Sequence, residues 1–178
     1  IHWINYPEAI DYQVSLWSGN TSAGDLIISA YVEGSGYNKA IEIYNGTGVP
    51  VDLSAYSLRM EVNGSGSFVN DTPLGSSILN NGETYLLLNS LSTDGALIAK
   101  ASQIIPGGET SPLNFNGNDA VALCRDGIII DVVGVAGEIA YWGQDKTLYR
   151  RSEITHPTSR YNGKEWISSP KDDFSRIG

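Results

Sequence analysis

From Asp25 onward, apolar residues recur at every second position in short runs broken by Gly, Asn, Asp and Pro. Leu26, Ile28, Ala30 and Val32 alternate with Ile27, Ser29 and Tyr31, which predicts a strand with one strongly apolar face. A Gly/Ser/Asn turn at 34–38 leads into Ala40–Asn45. There Ile41 and Ile43 point to one face and Glu42 and Tyr44 to the other, because side chains alternate along extended backbone. Asn45-Gly46 and Gly48 end this strand, and Pro50 opposes its continuation. Tyr56–Val62 alternates again, with Leu58, Met60 and Val62 opposed to Arg59 and Glu61.

The stretch 63–71 reads as a polar Gly/Ser-rich loop, Asn80-Asn81-Gly82 as a turn, and Thr84–Leu88 as a buried strand. Residues 90–118 form the longest irregular stretch, with one short apolar piece at Ala96–Ala99. Asp119–Arg125 and Ile128–Gly134 are apolar strands meeting at Asp126-Gly127, a dipeptide that supplies the positive φ of a type I′ hairpin. Thr147–Arg151 and Glu165–Ser168 read as closing strands, punctuated by Pro157 and Pro170. No helix-period segment of ten residues competes. The pattern predicts an all-β sandwich or barrel. Residues 1–24, aromatic and polar without periodicity, read as an N-terminal extension or linker, and 25–178 as one domain.

A chain of 178 residues is long enough to bury a core without staples. Cys124 is the single cysteine, so no intrachain disulfide forms, and its place in AVALC suits a small buried hydrophobe. No apolar run is long enough to be a transmembrane segment. The net charge of −9 argues against sequence-independent nucleic-acid binding, which needs a basic surface. The charge is uneven: residues 1–144 hold 4 basic and 15 acidic side chains, and 145–178 hold 7 and 5. Lys146–Arg151 is the most basic segment, read as solubilising side chains on an edge strand, with an anionic partner as the functional alternative.

The motifs run in the order VEGSGYNKAIEIYNGTGVPVDLSAYSL, LNNGETYLLLNS, LNFNGNDAVALCRDGIIIDVVGVAG, DKTLYRRSEIT and EWISSPKDDFSRIG. This series resembles the bacterial lamin-tail domain, an immunoglobulin-like module also found in nuclear lamins. It is most similar to the version appended to secreted or surface-exposed bacterial proteins, including extracellular nucleases and phosphoesterases. The resemblance spans 25–178. It implies an immunoglobulin-like β-sandwich and a non-catalytic accessory role, secreted or at the cell surface. The partner it implies is a protein, a cell-surface component or an extracellular polymer.

Catalytic chemistry finds little to work with. A Ser–His–Asp arrangement needs a well-placed His, and only His2 and His156 exist. Two distant His and one Cys do not make a zinc site. Glu33 and Glu42 flank one turn and are a candidate acid/base or calcium pair. The simpler expectation is that Glu42 meets Lys146 or Arg150 across the sheet. The loop Asn114–Asp119 offers oxygens as a calcium loop would, although Asx turns explain the same composition. No other cofactor is expected. Tyr37, Tyr141, Trp142 and Tyr161 lie near predicted turns and are the candidate ligand contacts of a sugar-binding platform. Their alternative is packing at the sandwich ends, and Trp166 is expected in the core.

Overall fold

The computed structural model describes residues 23–178 and resolves the alternating runs into two packed sheets. The larger sheet has six strands. Its centre is β1 (Ile27–Glu33) hairpinned to β2 (Lys39–Tyr44), followed outward by β7 (Thr84–Asn89) and a short parallel β8 (Gln103–Ile105). On the other side of β1 lie β11 (Lys146–Arg150) and β12 (Trp166–Pro170). The smaller sheet orders β10 (Ile128–Val133), β9 (Val121–Arg125), β4 (Tyr56–Glu61) and β5 (Phe68–Pro73). A two-residue ladder of β3 (Val51–Asp52) with β6 (Ile78–Leu79) completes the strands.

The main core fills the space between the sheets. Tyr31, Ile41, Ile43, Leu87, Leu148 and Trp166 come from the larger sheet, and Tyr56, Leu58, Met60, Val121, Leu123 and Val133 from the smaller. Burial of this kind is the main stabilising term for a fold of this size. A second cluster covers the far face of the larger sheet. There Ala30, Val32, Ala40, Leu86, Leu88 and Tyr149 pack against Leu97 and Ile177.

The first strand departs from strict alternation. Pairing shifts register between Ile28 and Ala30, so Ser29 is the extra residue of a β-bulge. Leu26, Ile28 and Tyr31 therefore share the main core, while Ala30 and Val32 face the second cluster. The single apolar face expected of 26–32 is in fact two faces, both buried.

Two expected loops carry structure. Phe68–Pro73 is the edge strand β5, whose pairing with β4 shifts at Asn70, a residue at φ +60°. No residue of this edge strand is fully buried, so its sequence carries no apolar alternation. Within 90–118, Gly95–Lys100 forms a short helix, α1, capped by the Asp94 carboxylate on the amides of Ala96 and Leu97. Its one buried residue, Leu97, closes the second cluster. The type I′ hairpin forms at Asp126 (φ +50°) and Gly127 (φ +77°) as expected. Residues 1–22 of the expected extension lie outside the described residues. Ala23 is already buried and donates its amide to the Gly46 carbonyl at 2.9 Å.

Candidate interaction surface

Between β10 and β11 the chain makes a long connection, residues 134–145, over one end of the sandwich. Positive φ at Gly134 (+96°) and Gly137 (+82°) lets the backbone turn out of β10 and fold back. Trp142 then inserts its indole against Tyr31, with centroids 5.1 Å apart, and against Tyr161 at 5.7 Å. Phe115 stacks on Tyr31 at 4.4 Å, and Tyr161 approaches Trp166 at 6.4 Å. Five aromatic rings thus run from the 115–119 loop to β12 and tie the connection to the core.

Polar contacts pin the same segment at spaced points. The Gly137 amide donates to Glu61 Oε1 at 2.6 Å, and Asn118 Nδ2 donates to the Ile139 carbonyl at 3.2 Å. The Gly143 amide donates to the Gly117 carbonyl at 2.8 Å, and the Asp145 amide to Glu33 Oε2. Gly117 (φ +104°) permits that approach: a Cβ there would sit 2.3 Å from the Gln144 nitrogen.

Held this way, residues 135–141 are all exposed. Ile139 is 72% exposed, Tyr141 57% and Val135 41%, and Glu138 is the segment's only charge. Gly64 lies alongside: a Cβ on it would stand 2.9 Å from Ile139 Cγ2. The result is an apolar surface on a braced loop.

The four aromatic candidates separate into two kinds. Tyr141 is on this surface, and Tyr37 is exposed in the β1–β2 turn. Trp142 and Tyr161 pack against the main core, where burial raises the Tyr161 hydroxyl above its ordinary pKa. Both rings are partly buried against core neighbours, and Tyr161 also lines a surface pocket with Phe68, Val132, Val135 and Arg160. Trp166 is in the core as expected.

The acidic candidates are partnered within the fold. Glu33 and Glu42 lie on opposite faces of the larger sheet and do not form a pair. Glu33 faces Lys39 in register, with Oε1 at 2.7 Å from Nζ, and that ammonium also donates to the Phe115 carbonyl at 2.6 Å. Glu42 accepts from Ser29 Oγ at 2.7 Å and the Gly178 amide at 2.6 Å, so neither Lys146 nor Arg150 meets it. Arg150 points between the sheets instead. It donates to Asp131 at 2.5 Å and to Glu165 at 2.6 Å, over the Trp166 ring at 4.5 Å. Asp131 also accepts from the amides of Ile28 (2.7 Å) and Thr158 (2.9 Å), which joins the two sheets through one carboxylate. Lys146–Arg151 is therefore no free basic patch, and β11 is an interior strand.

Asp119, in the expected calcium loop, accepts from the Asn63 amide (2.7 Å) and from the Asn116 amide three residues before it (2.9 Å), so backbone amides occupy its carboxylate. Among the described residues, no three His, Cys, Asp or Glu side chains converge as a metal-holding group. His156 accepts weakly from the Gly24 amide at 3.4 Å, and Cys124 is buried. No helix of the described residues is long and apolar enough to cross a membrane.

The family model for the lamin tail domain matches residues 20–137. The chain belongs to the lamin tail domain family. Its immunoglobulin-like sandwich is the fold that the motif order implied. Among curated proteins, no sequence matches this chain. The match ends inside the 134–145 connection, whereas the larger sheet of this lamin-tail domain also includes β11 and β12. Sequence reasoning passed over the 135–141 surface, except at Tyr141. The available signal was an apolar run, Val-Ala-Gly-Glu-Ile-Ala-Tyr, placed after a strand-ending glycine.

Proposed function

We propose that this lamin-tail domain is a non-catalytic interaction module that docks onto a partner protein through residues 135–141. The observation that carries this reading is the exposure of Ile139 and Tyr141 on a connection braced by Glu61, Asn118, Gly117 and Glu33. A loop held in one conformation loses little entropy on binding, and exposed aromatic and aliphatic anchors are the residue types that dominate interface energetics. The resemblance to modules of exported bacterial proteins supports a setting outside the cell, as an accessory to an attached domain.

The test is photo-crosslinking in the source cells, from a photoreactive residue at Ile139 or, as control, at Ile78. Ile78 is also exposed (59%) but lies on β6, remote in the chain. A discrete adduct from position 139 that is missing from position 78 supports the docking surface. Equal labelling from both positions contradicts it.

A further inference from the structure

A cleft of about 250 Å³ opens beside the exposed connection. Val135 and Ala136 form one wall, and Ser159, Arg160 and Tyr161 the other. Phe68 and Val132, from an apolar cluster on the outer face of the smaller sheet, also line it.

Both walls are held in place. Gly134, which begins the first wall, lies against the Trp142 indole, and Tyr161 of the second wall packs on the same indole at 5.7 Å. Thr158 fixes the start of the second wall to β10: its amide donates to Asp131 at 2.9 Å, and its carbonyl accepts from the Val132 amide at 3.1 Å. The Thr158 hydroxyl donates to the Arg160 carbonyl at 3.2 Å and accepts from the Arg160 amide at 3.3 Å. A cleft between two braced walls is preformed, so a ligand meets little ordering cost there.

The lining also defines what fits. Its side chains are mostly apolar, and Arg160 is the one charged residue among them. Among the described residues no carboxylate forms an ion pair with Arg160. In a chain of net charge −9, an exposed cation without such a partner beside an apolar cleft is a local exception. The volume falls below the roughly 300–1,000 Å³ of sites for drug-sized molecules and suits a single side chain. A saccharide would need many hydrogen-bonding groups, and the cleft offers few side chains of that kind.

We propose that this cleft takes an apolar side chain of a partner peptide while Arg160 pairs with an acidic residue beside it. The planar guanidinium matches a carboxylate with two parallel hydrogen bonds. The inference rests on the docking function proposed above, because Val135 and Ala136 belong to both surfaces. It adds the partner's chemistry: an aliphatic or aromatic residue next to Asp or Glu.

The test is selection of a phage-displayed library of random peptides on the whole chain, followed by fluorescence polarisation of the selected sequences. The wild type is expected to enrich peptides with Leu, Ile, Phe or Trp beside Asp or Glu. Arg160→Glu is expected to weaken these about tenfold or more, and to select Lys or Arg in place of the acid. Ala136→Trp fills the cleft and is expected to abolish binding. Both positions are exposed, so each variant is expected to melt within about 2 °C of wild type. No enriched sequence, a consensus without an acid, or an unchanged preference in Arg160→Glu overturns the inference. So does a concentration-dependent dimer, seen by light scattering and abolished by Ala136→Trp, which assigns the cleft to a second copy of the chain. The crosslink from position 139 separates the two readings. An adduct that persists in both variants overturns this inference and leaves the docking function standing, whereas equal labelling from 139 and 78 overturns both.

Discussion

Gly134 lies directly beneath the indole of Trp142: a Cβ on that glycine would stand 2.1 Å from Trp142 Cζ2. The glycine's φ of +96° is also outside what L side chains adopt comfortably. The two residues bracket the exposed surface, one releasing the chain from β10 and the other driving it back into the core. Gly134→Ala is therefore expected to destabilise by about 3 kcal/mol or more, read by urea denaturation. A loss under about 0.5 kcal/mol would mean that the indole is not seated there.

Arg150 and Asp131 set a second expectation. Both side chains are almost wholly buried and bridge the two sheets. Arg150→Met leaves the Asp131 carboxylate buried without its counter-charge and is expected to cost about 3–5 kcal/mol. Glu165, the more exposed partner of the same guanidinium, matters less, and Glu165→Gln is expected to cost about 1 kcal/mol. Denaturant melts of the two variants check the ordering, and equal losses would contradict it.

A pH dependence follows from Glu42. Burial raises its carboxyl pKa above the ordinary value of 4.5, against the opposing bonds from Ser29 and Gly178 and the charge of Lys100. Tyr149 and Arg176 flank the same face. A raised folded pKa means that the group's contribution is fully present below the unfolded pKa and declines as pH rises through the folded value. Glu42→Gln holds the neutral form at all pH. Wild-type stability relative to Glu42→Gln is therefore expected to be highest near pH 4 and to fall toward neutrality before levelling. Melts across pH 4–8 measure this, and a pH-independent difference would contradict it.

Ile139→Ser and Tyr141→Ser test whether the exposed surface is spare for binding. Their side chains are mostly in solvent, so each is expected to change stability by no more than about 0.5 kcal/mol. Each is expected to lose the crosslinked adduct when the photoreactive residue stands at the other position. A large drop in melting temperature would assign these side chains to packing instead.

Much of this fold was legible because local rules and tertiary context agree. Ile41 and Ile43 enter the core and Glu42 faces away, and Asp126-Gly127 makes the tight turn that its chemistry demands. What was not legible depends on partners distant in sequence. The bulge at Ser29 sends Ala30 to the second cluster, and that cluster exists only because Leu97 and Ile177 cover it. Arg59 and Glu61 read alike, as polar residues alternating with a core face. Arg59 does meet Asp71 near solvent at 3.0 Å, but Glu61 is sealed in by a loop about 76 residues further along. Trp142 and Tyr161 read as potential ligand contacts for the same reason: only the tertiary structure shows Tyr31 waiting between them and Phe115.

The central claim is that residues 134–145 form a preformed platform rather than a free loop. Amide hydrogen exchange followed by NMR tests it most directly. The amides of Gly137, Gly143 and Asp145, bound to Glu61, Gly117 and Glu33, are expected to be protected. The amides of Ile139 and Tyr141 between them are expected to exchange fast. Exchange at Gly137, Gly143 and Asp145 as rapid as in an unstructured peptide would contradict the account.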